Sequence, residues 1–74
     1  MSINELKTGH KAKIAEIRGG AGMAKKLENM GIRIGCEVTA VGSPAAHGPV
    51  IIQSGHTQVA IGGGMAKKIL VEQQ

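Results

Sequence analysis

The 74-residue sequence predicts a mostly β fold: a small five-stranded barrel with an inserted short α-helix and a single helical turn before the last strand. Five short segments have the composition and alternation of strands, and glycine-rich turns separate them. Only one segment has apolar residues at helical spacing. Because short sheets avoid exposed edges by curling, we expect residues 1–74 to form one barrel domain. Its core must be aliphatic, since the chain has no Trp, Tyr or Phe.

The first strand is predicted over residues 10–18, although its apolar positions do not alternate regularly. Ile14 and Ile17 are three residues apart, so a regular strand would direct them to opposite faces. A bulge near residues 15–16 would return Ile17 to the core face. Residues 19–22, three of which are glycine, are predicted to form a flexible loop.

An amphipathic helix is predicted over residues 23–30, where Met23, Leu27 and Met30 follow at i, i+4 and i+7. Gly31 comes directly after the last turn, where a left-handed residue closes a helix without a Cβ clash. Ile32 is then expected to fold back onto the apolar face of the helix.

Three more strands are predicted over residues 36–41, 50–54 and 57–61. The second and third of these are separated by two residues, Gly55 and His56, which suit a type II′ hairpin turn because glycine stands first. Residues 42–49, with two prolines and small polar side chains, are predicted to be a surface loop.

The two ends of the chain complete the predicted element order. Residues 3–6 form a short lead-in, residues 65–68 a single turn of 3₁₀ type, and residues 69–72 the fifth strand. Residues 73–74 are expected to be frayed. Five short strands with a helical turn before the last one are typical of an SH3-like barrel.

Two motifs make the sequence resemble a known family. They are Leu-x-x-Met-Gly-Ile-x-x-Gly over residues 27–35 and Ala-x-x-Ile-x-Val over residues 66–71. The sequence is similar to FeoA, the small cytoplasmic component of bacterial ferrous iron uptake, a domain also appended to some iron- and manganese-dependent repressors. Further matches extend the similarity from residue 6 to residue 71: Leu6, Gly9, Ile14, Ile17, residues 19–20, Val38, residues 48–50 and residues 59–61.

The resemblance implies an SH3-like fold and an accessory role toward FeoB, a membrane ferrous iron transporter with a cytoplasmic GTPase domain. The sequence departs from the family pattern at two places. Ile34 stands where the family often has proline, and residues 62–64 are glycines where it usually has a polar or basic residue.

Cationic residues are concentrated around the predicted helix. The formal net charge is +4 and the sequence pI is about 9.7. Arg18, Lys25, Lys26 and Arg33 flank or lie on the helix, and such charges are most often a solvated face. We hypothesise that they bind the cytoplasmic GTPase region of the FeoB-like transporter together with His47 of the long loop.

The positive charge leaves other functions open. A nucleic-acid-associated barrel and an interaction module of metal regulation are the alternatives to a transporter accessory protein. Nucleic acid is the less expected partner, because proteins that bind single strands stack bases on aromatic rings, which this chain lacks.

Neither a cofactor nor a metal site is predicted. The soft or borderline ligands His10, Cys36, His47 and His56 are scattered, with no Cys-x-x-Cys or His-x-x-x-His pair. Cys36 shares a face with Val38, so we expect a buried thiol.

Catalysis and membrane insertion are not expected either. The serines, histidines and five acidic residues show no triad spacing or carboxylate pair, and residues 62–68 lack the spacing of a phosphate-binding loop. The first residues lack a signal-peptide pattern, and the single cysteine fits a reducing compartment. We therefore expect a cytoplasmic protein, peripheral at the membrane through its partner.

Overall fold

The computed structural model describes residues 1–42 and 48–74 and confirms a mostly β fold. Its elements follow the predicted order. They are a 3₁₀ turn (Ile3–Glu5), β1 (Lys11–Ile17), α1 (Gly20–Asn29), β2 (Glu37–Gly42), β3 (Val50–Ser54), β4 (Thr57–Ile61), α2 (Gly63–Ala66) and β5 (Ile69–Gln73).

The five strands form one antiparallel sheet in the order β4-β3-β2-β1-β5. Helix α1 connects β1 to β2, and α2 connects the two edge strands, β4 and β5. The N-terminal residues lie along the outer side of β5, where the Val71 N–H donates to the Met1 carbonyl oxygen at 2.8 Å.

The predicted irregularity in β1 is confirmed. The register between β1 and β5 shifts between Ile14 and Glu16, as expected for a bulge at Ala15. Ile14 is buried, and Ile17 is half-buried and packs against the core. The extra residue thus returns Ile17 to the core face.

The core consists of aliphatic side chains, and the described residues bury no polar or charged side chain. Ile3 and Leu6 belong to this core, although residues 3–6 were predicted only as a short segment before the first strand. The buried set is Ile3, Leu6, Ala12, Ile14, Leu27, Ile32, Val38, Ala40, Val50, Ile52, Val59, Ile61, Ala66, Ile69 and Val71.

Helix α1 begins at Gly20, so the flexible loop predicted over residues 19–22 is wrong. Because glycine is a poor helix former, helix propensity did not predict the first turn. Gly19 has a packing reason to be glycine, because a Cβ there would overlap the side chain of Met23. The absence of that Cβ lets Met23 lie back over the first turn.

The end of α1 is as predicted. Gly31 has φ +86°, its N–H donates to the Glu28 carbonyl, and the Ile32 N–H donates to the Leu27 carbonyl, both at 2.9 Å. These two bonds form a Schellman motif, which satisfies carbonyls left free at the helix end. Ile32 is fully buried, so it folds back as expected.

The hairpin between β3 and β4 is also confirmed. Gly55 has φ +62°, and no described residue other than glycine has positive φ. That combination agrees with type II′ and excludes type I′, which needs positive φ at both central residues.

Two predictions for the last part of the chain are wrong. Helix α2 begins at Gly63 and is α-helical, because the Ala66 N–H reaches back four residues to the Gly62 carbonyl at 2.9 Å. The C-terminus is not frayed. Gln73 pairs with Ala12, and the Gln74 N–H donates to the Lys11 carbonyl at 3.0 Å. Pairing with β1, which local sequence does not reveal, orders the final residues.

Candidate functional site

Lys25 and Lys26 lie on the exposed face of α1. Leu27 is the buried residue of this helix, and Met23 packs partly buried against the core. The two lysines therefore extend into solvent, as the amphipathic pattern predicted.

Arg33 lies in the turn that leads from α1 to β2 and is exposed. The turn is held by the Cys36 N–H, which donates to the Arg33 carbonyl at 3.1 Å. The neighbouring Ile34 is 62% exposed, a large value for an aliphatic side chain. The Ser54 hydroxyl donates to the Gly31 carbonyl at 3.4 Å, so the β3–β4 hairpin lies beside this turn.

Arg18 follows β1, and its guanidinium forms an ion pair with the Glu16 carboxylate. The two side chains are 65% and 51% exposed, so the pair contributes little to stability. The Arg18 N–H donates to the Lys68 carbonyl at 2.7 Å, which brings Arg18 next to the end of α2.

Lys67 and Lys68 are two further exposed cations near Arg18, although they were not among the predicted site residues. Both are exposed, and the hydrogen bond from Arg18 places them beside the start of α1. A signal was present, because Gly-Met-Ala-Lys-Lys occurs at residues 22–26 and again at residues 64–68. In both copies a fully buried aliphatic residue, Leu27 or Ile69, follows the lysine pair.

The predicted site residues fall into two groups. Arg18 joins Lys67 and Lys68 where β1 and β5 pair, while Lys25, Lys26 and Arg33 lie on α1 and its exit turn. We call these six residues the cationic surface. His47 lies outside the described residues.

On the sheet, by contrast, a cation is balanced. Lys13 pairs in register with Glu37 of β2 on one side and with Glu72 of β5 on the other. Opposite charges on neighbouring strands attract, so the charge of Lys13 is offset by its two neighbours.

The possible metal ligands do not converge in the part of the chain that is described. No three His, Cys, Asp or Glu side chains among residues 1–42 and 48–74 could hold one ion. The absence of a physiological metal site stays a prediction. Cys36 is half-buried and packs against the core, so the predicted buried thiol is found only in part; the residue lies in the turn directly before β2.

The other described histidines have local roles. The His10 Nδ1 accepts a hydrogen bond from the Gln73 side-chain amide, and His56 is exposed in the hairpin turn. Neither α1 nor α2 is long and apolar enough to cross a membrane, and the described segments contain no other α-helix.

These features define a small SH3-like barrel domain with cationic residues around its inserted helix. The model of the FeoA domain family matches residues 1–73. The chain is 38% identical over 66 residues to a Methanocaldococcus jannaschii protein provisionally named Fe(2+) transport protein A, covering 89% of this chain and 78% of that one. The chain therefore belongs to the FeoA domain family.

Solved structures agree with this assignment. A crystal structure of an iron uptake regulatory protein (FeoA) has a TM-score of 0.88 and 31% identity, covering 100% of this chain and 96% of the other. The zinc complex of Stenotrophomonas maltophilia FeoA, described as a prokaryotic SH3 domain protein, has a TM-score of 0.76 and 26% identity, with coverage of 100% and 95%. The predicted SH3-like fold is confirmed.

Proposed function

We propose that this chain is a non-enzymatic accessory protein of ferrous iron uptake that binds the cytoplasmic GTPase region of a FeoB-like transporter. The observation that carries the proposal is the family match over residues 1–73. The names of the relatives support it: one refers to Fe(2+) transport and another to iron uptake regulation. For the Stenotrophomonas protein, a role as a ferrous iron transport activating factor has been suggested.

The cationic surface supports binding as the mode of action. Lys25, Lys26 and Arg33 are exposed on a helix and turn, where they can contact an acidic patch without rearrangement of the core. Complementary charge of this kind speeds association and selects partners. Catalytic groups, in contrast, stabilise transition-state charge most strongly in sites that exclude water and whose dipoles are already oriented.

The protein would then act in the cytoplasm, at the inner face of the membrane through its partner. This location follows from the proposed partner, whose GTPase region is cytoplasmic. Any effect on iron transport would pass through contacts with that region.

A binding measurement with a matched charge control tests the proposal. The purified GTPase region is titrated with the wild-type chain, with Lys25→Glu/Lys26→Glu, and with Lys7→Glu/Lys11→Glu. Lys7 and Lys11 are exposed at the opposite end of β1 from α1, and their reversal changes net charge equally. We expect the first variant to bind about tenfold or more weakly at physiological salt, and the control to bind nearly as the wild type does.

Two results would count against the proposal. If the wild-type chain does not bind the GTPase region, the partner is wrong. If both variants bind as the wild type does, the GTPase region remains the partner, but Lys25 and Lys26 do not contact it.

A further inference from the structure

The turn between α1 and β2 carries the most exposed large apolar side chain of the described residues. Ile34 is 62% exposed, whereas Met1 and Val41 are 49% and 37% exposed. Val41 lies at the opposite end of β2 from this turn, and Met1 lies along β5. A single exposed aliphatic residue is common on protein surfaces, so the meaning of Ile34 depends on its surroundings.

The backbone around Ile34 is held on both sides. Ile32, two residues earlier, is fully buried. After Ile34, the Gly35 N–H donates to the Ile14 carbonyl at 2.8 Å, and the Ile14 N–H donates to the Cys36 carbonyl at 2.9 Å. The side chain is therefore presented to solvent on an ordered backbone, and a contact made through it loses little backbone entropy.

The composition of this turn is that of an interface. Arg33 and Ile34 are both exposed, while Met30 and Cys36, on either side of them in the sequence, are partly buried against the core. Arginine and methionine are enriched where proteins meet. Interfaces are usually anchored by a few buried side chains, often aromatic. Since this chain has no aromatic residue, its anchor must be a non-aromatic apolar side chain such as Ile34.

The charge beside Ile34 decides between two possible occupants. In a symmetric dimer the same surface of each copy faces the other, so the two Arg33 side chains would be brought together. Like charges so placed repel, and the net charge of +4 on each copy adds to the cost. An apolar pocket bordered by carboxylates on a different protein meets attraction at the same position.

We infer that Ile34 is the apolar anchor of the contact with the transporter's GTPase region. Its side chain enters an apolar pocket of that region, and carboxylates at the edge of the pocket pair with Arg33. Lys25 and Lys26 attract the same acidic surface from the side of α1. This inference rests on the proposed function, from which it takes the partner, and adds the chemistry of the site on that partner.

The test truncates Ile34 in steps and compares it with an exposed aliphatic residue elsewhere. The purified GTPase region is titrated with the full wild-type chain and with Ile34→Val, Ile34→Ala and Val41→Ala. We expect Ile34→Ala to bind about tenfold more weakly and Ile34→Val about threefold, in proportion to the apolar surface removed. Val41→Ala, which truncates a side chain at the other end of β2, should bind as the wild type does.

Salt separates the apolar contribution from that of charge. The ratio of dissociation constants between Ile34→Ala and the wild type should be the same at about 20 mM and about 300 mM salt, because apolar burial is not screened. The corresponding ratio for Lys25→Glu/Lys26→Glu should become smaller as salt rises. Urea midpoints of Ile34→Ala and the wild type should agree, since Ile34 lies outside the core.

Three results would overturn the inference. They are equal binding by Ile34→Ala and the wild type, an equal loss in Val41→Ala, and self-association or binding to anionic phospholipid vesicles that Ile34→Ala abolishes. If Ile34→Ala is unstable, Ile34→Val decides, and its unchanged affinity contradicts the inference. If the wild-type chain does not bind the GTPase region, the proposed function fails and this inference with it. If the wild type binds and Ile34→Ala binds equally, only this inference fails.

Discussion

At the scale of single residues, Gly31 is the point where helix α1 ends. Its φ is +86°, and a Cβ added there would meet no atom within 4 Å. Substitution by alanine is therefore opposed by backbone strain and not by a clash. We expect Gly31→Ala to lower the free energy of unfolding by about 1–2 kcal/mol. Urea unfolding followed by far-UV circular dichroism measures this, since the chain has no aromatic residue to report by fluorescence.

Gly22 is the matched control for Gly31. It lies inside α1, its φ is not positive, and a Cβ there also meets no atom within 4 Å. Gly22→Ala should raise the free energy of unfolding by roughly 0.5–1 kcal/mol, because alanine loses less backbone entropy on folding. If both variants changed stability in the same direction, the assignment of Gly31 to a left-handed cap would be contradicted.

Glu5 makes the stability of the N-terminal turn depend on pH. The Ser2 backbone N–H, at 3.0 Å from the Glu5 carboxylate, and then the Ser2 hydroxyl hold the pKa of Glu5 below its ordinary value of 4.5. A carboxyl whose pKa is lower in the folded state stabilises the fold above its unfolded pKa. This contribution is lost as the pH falls from about 4.5 through the lowered pKa.

We therefore expect Glu5→Gln to be less stable than the wild type at about pH 6, and the difference to shrink toward about pH 2.5. Urea midpoints measured across this range test the prediction. Asn29→Ala, an exposed substitution that removes no titrating group, is the control and should differ from the wild type by the same amount at each pH. A difference that grew on acidification would have the wrong sign for a capping carboxylate.

At the scale of elements, α1 packs on the barrel mainly through Leu27, with Met23 and Met30 partly buried against the same core. Leu27 is fully buried and is the buried residue of the helix. Leu27→Ala should cost about 2–5 kcal/mol, a range typical of buried leucines. A domain this small has only about 3–5 kcal/mol of net stability, so the variant should keep at most about 3 kcal/mol, and its urea midpoint followed by circular dichroism should fall by about 40% or more.

Asn29 provides the comparison on the same helix. It is exposed in the last turn of α1, and Asn29→Ala should change stability by no more than about 0.5 kcal/mol. A Leu27→Ala variant as stable as the wild type would show that the Leu27 side chain is not required to complete the core.

At the scale of the whole molecule, net charge and local contact affect binding differently. The variants Lys25→Glu/Lys26→Glu and Lys7→Glu/Lys11→Glu each lower the net charge from +4 to zero, since each single substitution removes two units. At low salt, the association rate with an acidic partner depends on the whole field of the protein. Both variants should therefore associate more slowly with the GTPase region at about 20 mM salt.

The dissociation rate separates the two variants. Only Lys25→Glu/Lys26→Glu removes residues that we place in the interface, so only this variant should dissociate faster. At about 300 mM salt, where the Debye length is short, the association rates should converge and the difference in dissociation should remain. Surface plasmon resonance at both salt concentrations measures these rates. Equal dissociation rates would place Lys25 and Lys26 outside the contact.

The parts of the fold that could be predicted from sequence have local causes. Gly31 and Ile32 follow an apolar face, which predicts a helix end, and Gly55 before His56 predicts a type II′ turn. Ile17 is one residue out of phase with Ala12 and Ile14 in the alternation of β1, and this predicts a bulge. The first turn of α1 and the α-helical form of α2 were missed because glycines start both helices, and glycine has a low helix propensity.

The candidate site was predicted only in part, because only some of its features have local causes in the sequence. Exposure of Lys25 and Lys26 follows from helical periodicity. The approach of Lys67 and Lys68 to Arg18 depends on pairing between β1 and β5, which are far apart along the chain. The position of β4 at the edge of the sheet likewise depends on strand order and could not be deduced from any one segment.

The amino-acid sequence alone determined the mostly β class, the helix and its stop, the aliphatic core and the family. Each of these depends on spacing within a few residues or on composition. Only the tertiary structure decided which strands lie at the edges of the sheet, which cations become neighbours, and that Ile3 and Leu6 complete the core. Those properties arise from contacts between residues distant in the chain, and hydrophobic burial and strand pairing select such contacts without leaving a local pattern.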